Sequence, residues 1–413
     1  MVLNALSHRK KGIFMKKAIV LMLAAFLCVC TVACGNAENT VIDTDAQTDS
    51  VSPTDTSPIP DMGADPEEKS IDIYIIAGQS NAVGHSKVYD TAAIGAIAPG
   101  IYAGYTNILY SGNARTDTVT NNVRTIIDND ISWRNVTVGL GRQGGYIGPE
   151  LGMAEALSSY YNKDTGRYAG IIKFAHGGTS LFDKSSGSNQ FGNWVCPSYA
   201  KELGVSYNDG DVTGQLYRDL LMEISSNIMG LRSRGYTEIN LKAIYWMQGE
   251  NDRGEPDEYA RVFAMFVKDL RKDLSDMMKQ INGDFNNDGG ASEMAVIVGT
   301  VSETFALSAN DKTGALNVRF IKMQKNLTGS IENCYIVDNS KFVINRWDYE
   351  NDQNVVIGAD TYHWNQNDMV CIGKKVGEAI LRNCLSDWNA YNNSFWESIT
   401  QTDPNGNGWA ENG

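Results

Sequence analysis

Five apolar runs of strand length alternate with helical patterns between residues 71 and 384, and that alternation restricts the chain to one kind of architecture. The runs cover residues 71–77, 168–175, 239–246, 294–301 and 334–337. They are rich in β-branched and aromatic residues and nearly continuous in apolar character, as strands covered on both faces must be. Between and after them lie helical periodicities at 149–160, 216–231, 256–275, 315–328 and 368–384. Pro149 with Glu150 beside it suits the first turn of a helix. Strands alternating with helices predict an α/β fold with a parallel sheet covered on both faces. Right-handed crossovers put the carboxyl ends of all its strands on one edge. That edge is where open α/β sheets bind ligands. Residues 82–148 are rich in Gly and Asn and are expected to form loops and minor strands over it. Residues 183–213 read as a long polar loop carrying Trp194 and Tyr199, and loops of that length are usually functional.

Three strand ends and one later loop carry chemistry. The first run stops in Gly78-Gln79-Ser80-Asn81. Glycine permits a sharp turn, and Ser80 on that turn is either a nucleophile or the cap of the next helix. The second run ends in His176-Gly177-Gly178-Thr179-Ser180, and the third in Met247-Gln248-Gly249-Glu250-Asn251-Asp252. Asp360-Thr361-Tyr362-His363 follows the last run. A serine hydroxyl needs a base. Of the four histidines, His8 precedes the leader, which leaves His85, His176 and His363. His363 is the expected base, because Asp360 three positions earlier can fix its tautomer and stabilise the imidazolium. His176 and His85 are the alternatives. Ala82 rules out the Gly-x-Ser-x-Gly elbow of α/β-hydrolases. With no dinucleotide fingerprint, P-loop or metal-ligand spacing, catalysis is expected to use no cofactor and no metal.

Four blocks in order, Gly78-Gln79-Ser80-Asn81, Gly177-Gly178-Thr179-Ser180, Trp246-x-Gln248-Gly249-Glu250-x-Asp252 and Asp360-x-x-His363, resemble the SGNH/GDSL hydrolases. Within them the match is to the sialate O-acetylesterase-like branch, which includes carbohydrate esterase family six and its acetyl xylan esterases. The likeness covers roughly residues 70–385, and Asn317-Val318-Arg319 with Gln324 also looks like a helix of that branch. It implies a three-layer α/β/α sandwich, flavodoxin-like, with a five-stranded parallel sheet. It implies ester hydrolysis through an acyl-enzyme, with Ser80 as nucleophile, His363 as base and Asp360 as its orienter. The oxyanion hole would take the backbone N–H of Ser80, a glycine (Gly178, then Gly177) and a side-chain amide. For that amide the branch pattern points to Gln248, whereas Asn251 completes the Gly-x-Asn-Asp of the wider superfamily. Expected substrate contacts are Gln79, Asn81, Glu250, His176 and Trp194. Core packing is the competing role for Trp194, and bracing of the following helix that for Glu250 and Asp252. The substrate is then an acetylated oligo- or polysaccharide, xylan or a related plant polymer first. Sialic acid or another small acyl ester is the alternative, and a carbohydrate-binding lipoprotein without turnover is the alternative of another class.

The ends of the chain read differently. Residues 1–33 read as a signal peptide with a Lys16-Lys17 n-region, Met15 being the expected true start. Thr31-Val32-Ala33-Cys34-Gly35 resembles a bacterial lipobox, so Cys34 is the expected lipidation site. The protein is then an exported cell-surface lipoprotein or, failing lipidation, a secreted one. Residues 34–69, rich in Asp, Thr, Ser and Pro, read as a disordered linker. Residues 70–387 form the hydrolase domain, and 388–413 a polar tail. Residues 1–33 hold five Lys or Arg and no acid; without them 30 basic residues face 49 acidic ones, a net charge of −19. Such a surface repels nucleic acid and anionic lipid, so no nucleic acid partner is expected and the membrane is reached only through the anchor. Cys196, Cys334, Cys371 and Cys384 show neither CxxC nor zinc spacing, and at least two are expected as buried thiols.

Overall fold

The computed structural model describes residues 69–112, 115–120, 123–128, 133–182, 192–208 and 211–385. The leader, Cys34, nearly all of the linker and the polar tail lie outside the described residues. Seven strands make one sheet: β1 (Lys69–Gly78), β2 (Ile108–Gly112), β3 (Arg134–Asn135), β4 (Ala169–Ala175), β5 (Tyr236–Met247), β6 (Ala295–Gly299) and β7 (Cys334–Val337). Their order is β7-β6-β5-β1-β4-β2-β3. Every neighbouring pair is parallel except β2 with β3. The sheet is therefore wider than the five strands expected. The two additions come from residues 82–148, where loops and minor strands were expected over the sheet rather than in it. β2 is only five residues long, and it gains its burial by pairing along β4.

Eight α-helices are used below: α1 (Ser80–Val83), α2 (Thr91–Ile97), α3 (Glu150–Leu157), α4 (Pro197–Leu203), α5 (Gln215–Ser233), α6 (Pro256–Asn282), α7 (Ala315–Asn326) and α8 (Gln366–Cys384). Alternate residues of β1 serve opposite faces of the sheet, as the two-residue period of a strand requires. Ile71, Ile73, Ile75 and Ala77 pack with α5, α6 and α7, whereas Tyr74 and Ile76 pack with α3 and α8. Burying each large side chain is worth ~1.5–3 kcal/mol, so the two cores carry most of the stability. α6 shows how the sequence sets an element. Pro256, Asp257 and Glu258 open it, and Gly283 in the left-handed conformation closes it. Tyr259, Val262, Phe263, Phe266, Leu270, Leu274 and Met278 form its buried stripe. The stripe runs to Met278, which is why the helix outlasts the 256–275 expected. Part of the supposed 183–213 loop is helical as well (α4).

The chain builds outward from β1 in both directions, with β4 on one flank and β5 on the other. The strand order thus switches at the end of β1, where a crevice opens in sheets of this kind. At the far end of the chain, α8 is clasped to the segment after β1. The Gln366 side chain accepts from Tyr89 N–H (2.8 Å) and Asp90 N–H (3.1 Å) and donates to Asp90 O (2.7 Å). Ser86 Oγ donates to Trp364 O at 2.8 Å. Cys196, Cys334, Cys371 and Cys384 are free thiols. No helix among the described residues is long and apolar enough to cross a membrane.

Candidate active site

β1 ends in a turn that only glycine can make. Gly78 has φ +138°, and a Cβ there would stand 2.1 Å from Met247 O. Gln79 N–H donates to Met247 O and His176 N–H to Gly78 O, both at 3.0 Å, so the turn is pinned to both neighbouring strands. Ser80 opens the single turn of α1 and is half-buried. It does not cap that helix: the N-cap position is Gln79, with no side-chain cap bond. Gly177 lies against the serine, where a Cβ would sit 3.5 Å from Ser80 Cβ and 4.0 Å from His85 Nε2.

Asp360 and His363 form a compact pair. His363 Nδ1 lies 2.7 Å from Asp360 Oδ2, and Asp360 Oδ1 accepts from the backbone N–H of Tyr362 (2.7 Å) and of His363 (2.9 Å). Partial burial works against the charged carboxylate, yet these hydrogen bonds hold Asp360 below the ordinary aspartate value. The ring of His85 lies on that of His363, with centroids 4.5 Å apart and planes at 32°. Burial, then the nearby His363 and Arg142, push His85 down to about 4, so it is neutral near pH 7. Asn81 Nδ2 donates to Tyr362 O at 3.4 Å, which links the residue after Ser80 to the residue before His363.

The turn after β5 separates the two amide candidates. Gln248 is buried and donates both amide hydrogens internally, to Thr179 O (3.1 Å) and Asp252 Oδ2 (2.8 Å), while its Oε1 accepts from Tyr259 (2.8 Å). No N–H is left over for an oxyanion. Asn251 is exposed and donates to Gly178 O at 2.5 Å, beside the glycine expected in the hole. Asp252 is a brace: it accepts from Ser180 Oγ (2.5 Å) and Leu181 N–H (2.8 Å), as well as from Gln248.

The expected substrate contacts need correction. Gln79, Asn81, Glu250 and Trp194 are all buried. Asn81 Nδ2 donates to Glu250 Oε1 at 2.8 Å. Burial lifts the Glu250 carboxyl above its ordinary value despite that bond. Trp194 packs edge-on against Trp246 (5.1 Å) and Phe174 (5.9 Å) and donates its indole N–H to Thr179, so it fills the core and cannot stack on a sugar. His176, in contrast, is half-buried and lines a cleft of about 500 Å³ with His85, Gly177, Arg134, Arg142 and Asp219.

The sequence reading missed Tyr362, 51% exposed next to His363 with its ring 5.6 Å from Phe305. It also missed the two arginines of the cleft. Tyr362 stands inside the Asp-x-x-His block and could have been noticed there; nothing local marks the arginines. Among the described residues no three His, Cys, Asp or Glu side chains converge to hold a metal ion.

The profile of a carbohydrate esterase family described as sialic acid-specific acetylesterase matches residues 70–382. Similar solved structures include a protein from Arabidopsis thaliana, 18% identical over 76% of this chain and 98% of that one, with a TM-score of 0.41. NanS is 17% identical over 80% of this chain and 99% of its own, with a TM-score of 0.45. A carbohydrate acetylesterase from Xanthomonas citri is 14% identical over 76% of this chain and 56% of that one, with a TM-score of 0.42. No curated protein sequence matches the chain.

Proposed function

The chain belongs to the carbohydrate esterase family of sialic acid-specific acetylesterases, and from that membership we propose a serine esterase that removes O-acetyl groups from a polysaccharide at the Ser80–His363–Asp360 site. Ser80 Oγ attacks the acetyl carbonyl and passes its proton to His363. The tetrahedral oxyanion is held by the N–H groups of Ser80 and Gly178 and by the Asn251 amide. His363 then protonates the departing sugar oxygen as the C–O bond breaks, which leaves acetyl-Ser80. Water attacks that ester, gives its proton to His363, and acetate leaves as Ser80 is reprotonated. Asp360 steadies the imidazolium in both halves. The observation that carries this reading is the Asn81–Tyr362 bond, because it brings together the immediate neighbours of nucleophile and base. Acetylated xylan or a related plant polymer is the first substrate choice, in keeping with the strongly acidic chain. Lipidation at Cys34 would hold the enzyme at the cell surface.

One observation favours a second substrate. Arg134 and Arg142 line the cleft beside Gly177, their guanidinium groups lying over the rings of Tyr110 and Tyr146. A sugar acid such as an O-acetylated sialic acid would offer them a carboxylate. The test is acetate release from acetylated xylan, acetylated pectin, an O-acetylated sialic acid and an aryl acetate. Ser80→Ala should lower every rate at least ~10³-fold; an active variant would sink the nucleophile assignment. A preference for the sialic acid over xylan would favour the second substrate.

A further inference from the structure

One fully buried cation takes no part in that chemistry. Lys173 lies in β4 opposite Ile76 of β1, and its side chain has no exposed surface. Its ammonium has three hydrogens and three acceptors: Val83 O (2.9 Å), Leu140 O (2.7 Å) and Glu150 Oε2 (3.0 Å). Val83 is the last residue of α1, the turn that begins with Ser80. Leu140 belongs to the glycine-rich loop that walls the cleft, and Arg142 N–H of the same loop donates to Gly84 O at 2.9 Å. Glu150 opens α3, and its other oxygen accepts from Gly148 N–H at 3.0 Å. These pieces are packed to contact: Gly84 has φ +98°, and a Cβ there would stand 2.6 Å from Gly148 N. Nucleophile turn, cleft wall and α3 therefore meet at one ammonium.

Stability alone gives no reason for such a group. Desolvating an ammonium and a carboxylate is costly, and a well-packed apolar pair in their place is often as stable or more so. The need is local. α1 is a single turn, closed by Ala82 N–H (2.8 Å) and Val83 N–H (3.0 Å) to Gln79 O and by Gly84 N–H to Ser80 O (3.0 Å). A helix of one turn has no stability of its own and must be held from outside. A cation at its carboxyl end also interacts favourably with the exposed carbonyls there.

We propose that Lys173 is a positioning residue for the esterase: by holding Val83 O and Leu140 O it fixes the turn that aims Ser80 and the loop that flanks the cleft. The inference rests on Ser80 being the nucleophile. A displacement of about 1 Å at a reacting group can cost about a hundredfold in rate. Lys173→Met and the double variant Lys173→Met/Glu150→Leu test it, through kcat and KM on an aryl acetate, thermal midpoints, and the rate at which a fluorophosphonate labels Ser80. Both variants should lose kcat about ten- to a hundredfold with KM within about twofold, and labelling should slow in proportion. The double variant should recover the wild-type midpoint without recovering kcat. Wild-type kcat and labelling in a folded double variant would reduce Lys173 to a structural part and overturn the proposal. Should the single variant not fold, the double variant decides. Full activity in Ser80→Ala would instead overturn the underlying function, so the two failures are separable.

Discussion

The turns that leave β1, β4 and β5 are held by the sheet and by one another, whereas the Asp360 carboxylate takes its bonds from within its own turn. The first group is cross-linked through buried bonds: Gly78 and Gln79 to the flanking strands, and Ser180, Leu181 and Gln248 to Asp252. The second arrives only after β7 and a short hairpin (Asn345–Asp348 with Gln353–Val356). The Asp360 side chain is 50% exposed, and its three hydrogen-bond contacts all come from residues 362 and 363. The proposed nucleophile and oxyanion donors thus draw their geometry from the sheet and its neighbouring turns. The Asp360–His363 pair is closed within four consecutive residues, while its loop is tied to the rest through Asn81, Ala306 and Asn345. Damage to the first region should cost stability as well as rate; damage to the second should cost rate alone.

That contrast can be broken by pairs of variants. The largest effect belongs to Asp360→Asn, which should lower kcat ~10³-fold by disturbing the His363 tautomer and leave the thermal midpoint within about 2 °C. Its counterpart Asp252→Ala strips partners from three buried donors and should cost ~3 kcal/mol in urea unfolding. Equal stability losses in the two would erase the difference between the regions. Next, Asn251→Ala should lower kcat ~10²-fold as one oxyanion donor is lost, with little change in unfolding. Gln248→Ala should instead show mainly as a stability loss of ~1–3 kcal/mol. The opposite pattern would put the Gln248 amide in the hole. The smallest effect concerns His85. Its folded value of about 4 lies below the ordinary histidine value of 6.5, so the unfolded chain takes up the proton first. Stability is therefore lost as pH falls from 6.5 towards 4, and His85→Gln should flatten that slope. Urea midpoints at about pH 6.5 and pH 4.5 measure it, and an unchanged slope would show that His85 does not govern it.

Much of the domain was legible because its signals are local. Five strands announced themselves as apolar runs, three of them followed by glycine turns, and all five occur. The helices were placed by capping residues and apolar stripes. What escaped depends on partners distant in the chain. β2 and β3 have too few residues for a periodicity and exist by pairing outward from β4. Trp194 in a polar stretch reads equally as ligand platform or core, and only Trp246 and Phe174 decide it. The roles of Gln248 and Asn251 turn on side-chain direction in a tight turn, which spacing does not encode. Lys173 was read as one more residue of a strand, because the three oxygens that explain it come from residues 83, 140 and 150.

The clasp between α8 and the segment after β1 also has a meaning in time. Gln366 meets Tyr89 and Asp90 across 277 and 276 positions of chain, and Asn81 meets Tyr362 across 281. Contacts that close such long loops form late, after the entropy of closure has been met by nearer pairings. The sheet can zip outward from β1 before residue 360 arrives, so a chain at that stage would own a serine with no base. Competence to cleave esters then comes with the last docking event of folding. A partly made or unfolding copy would fall silent before its sheet is lost.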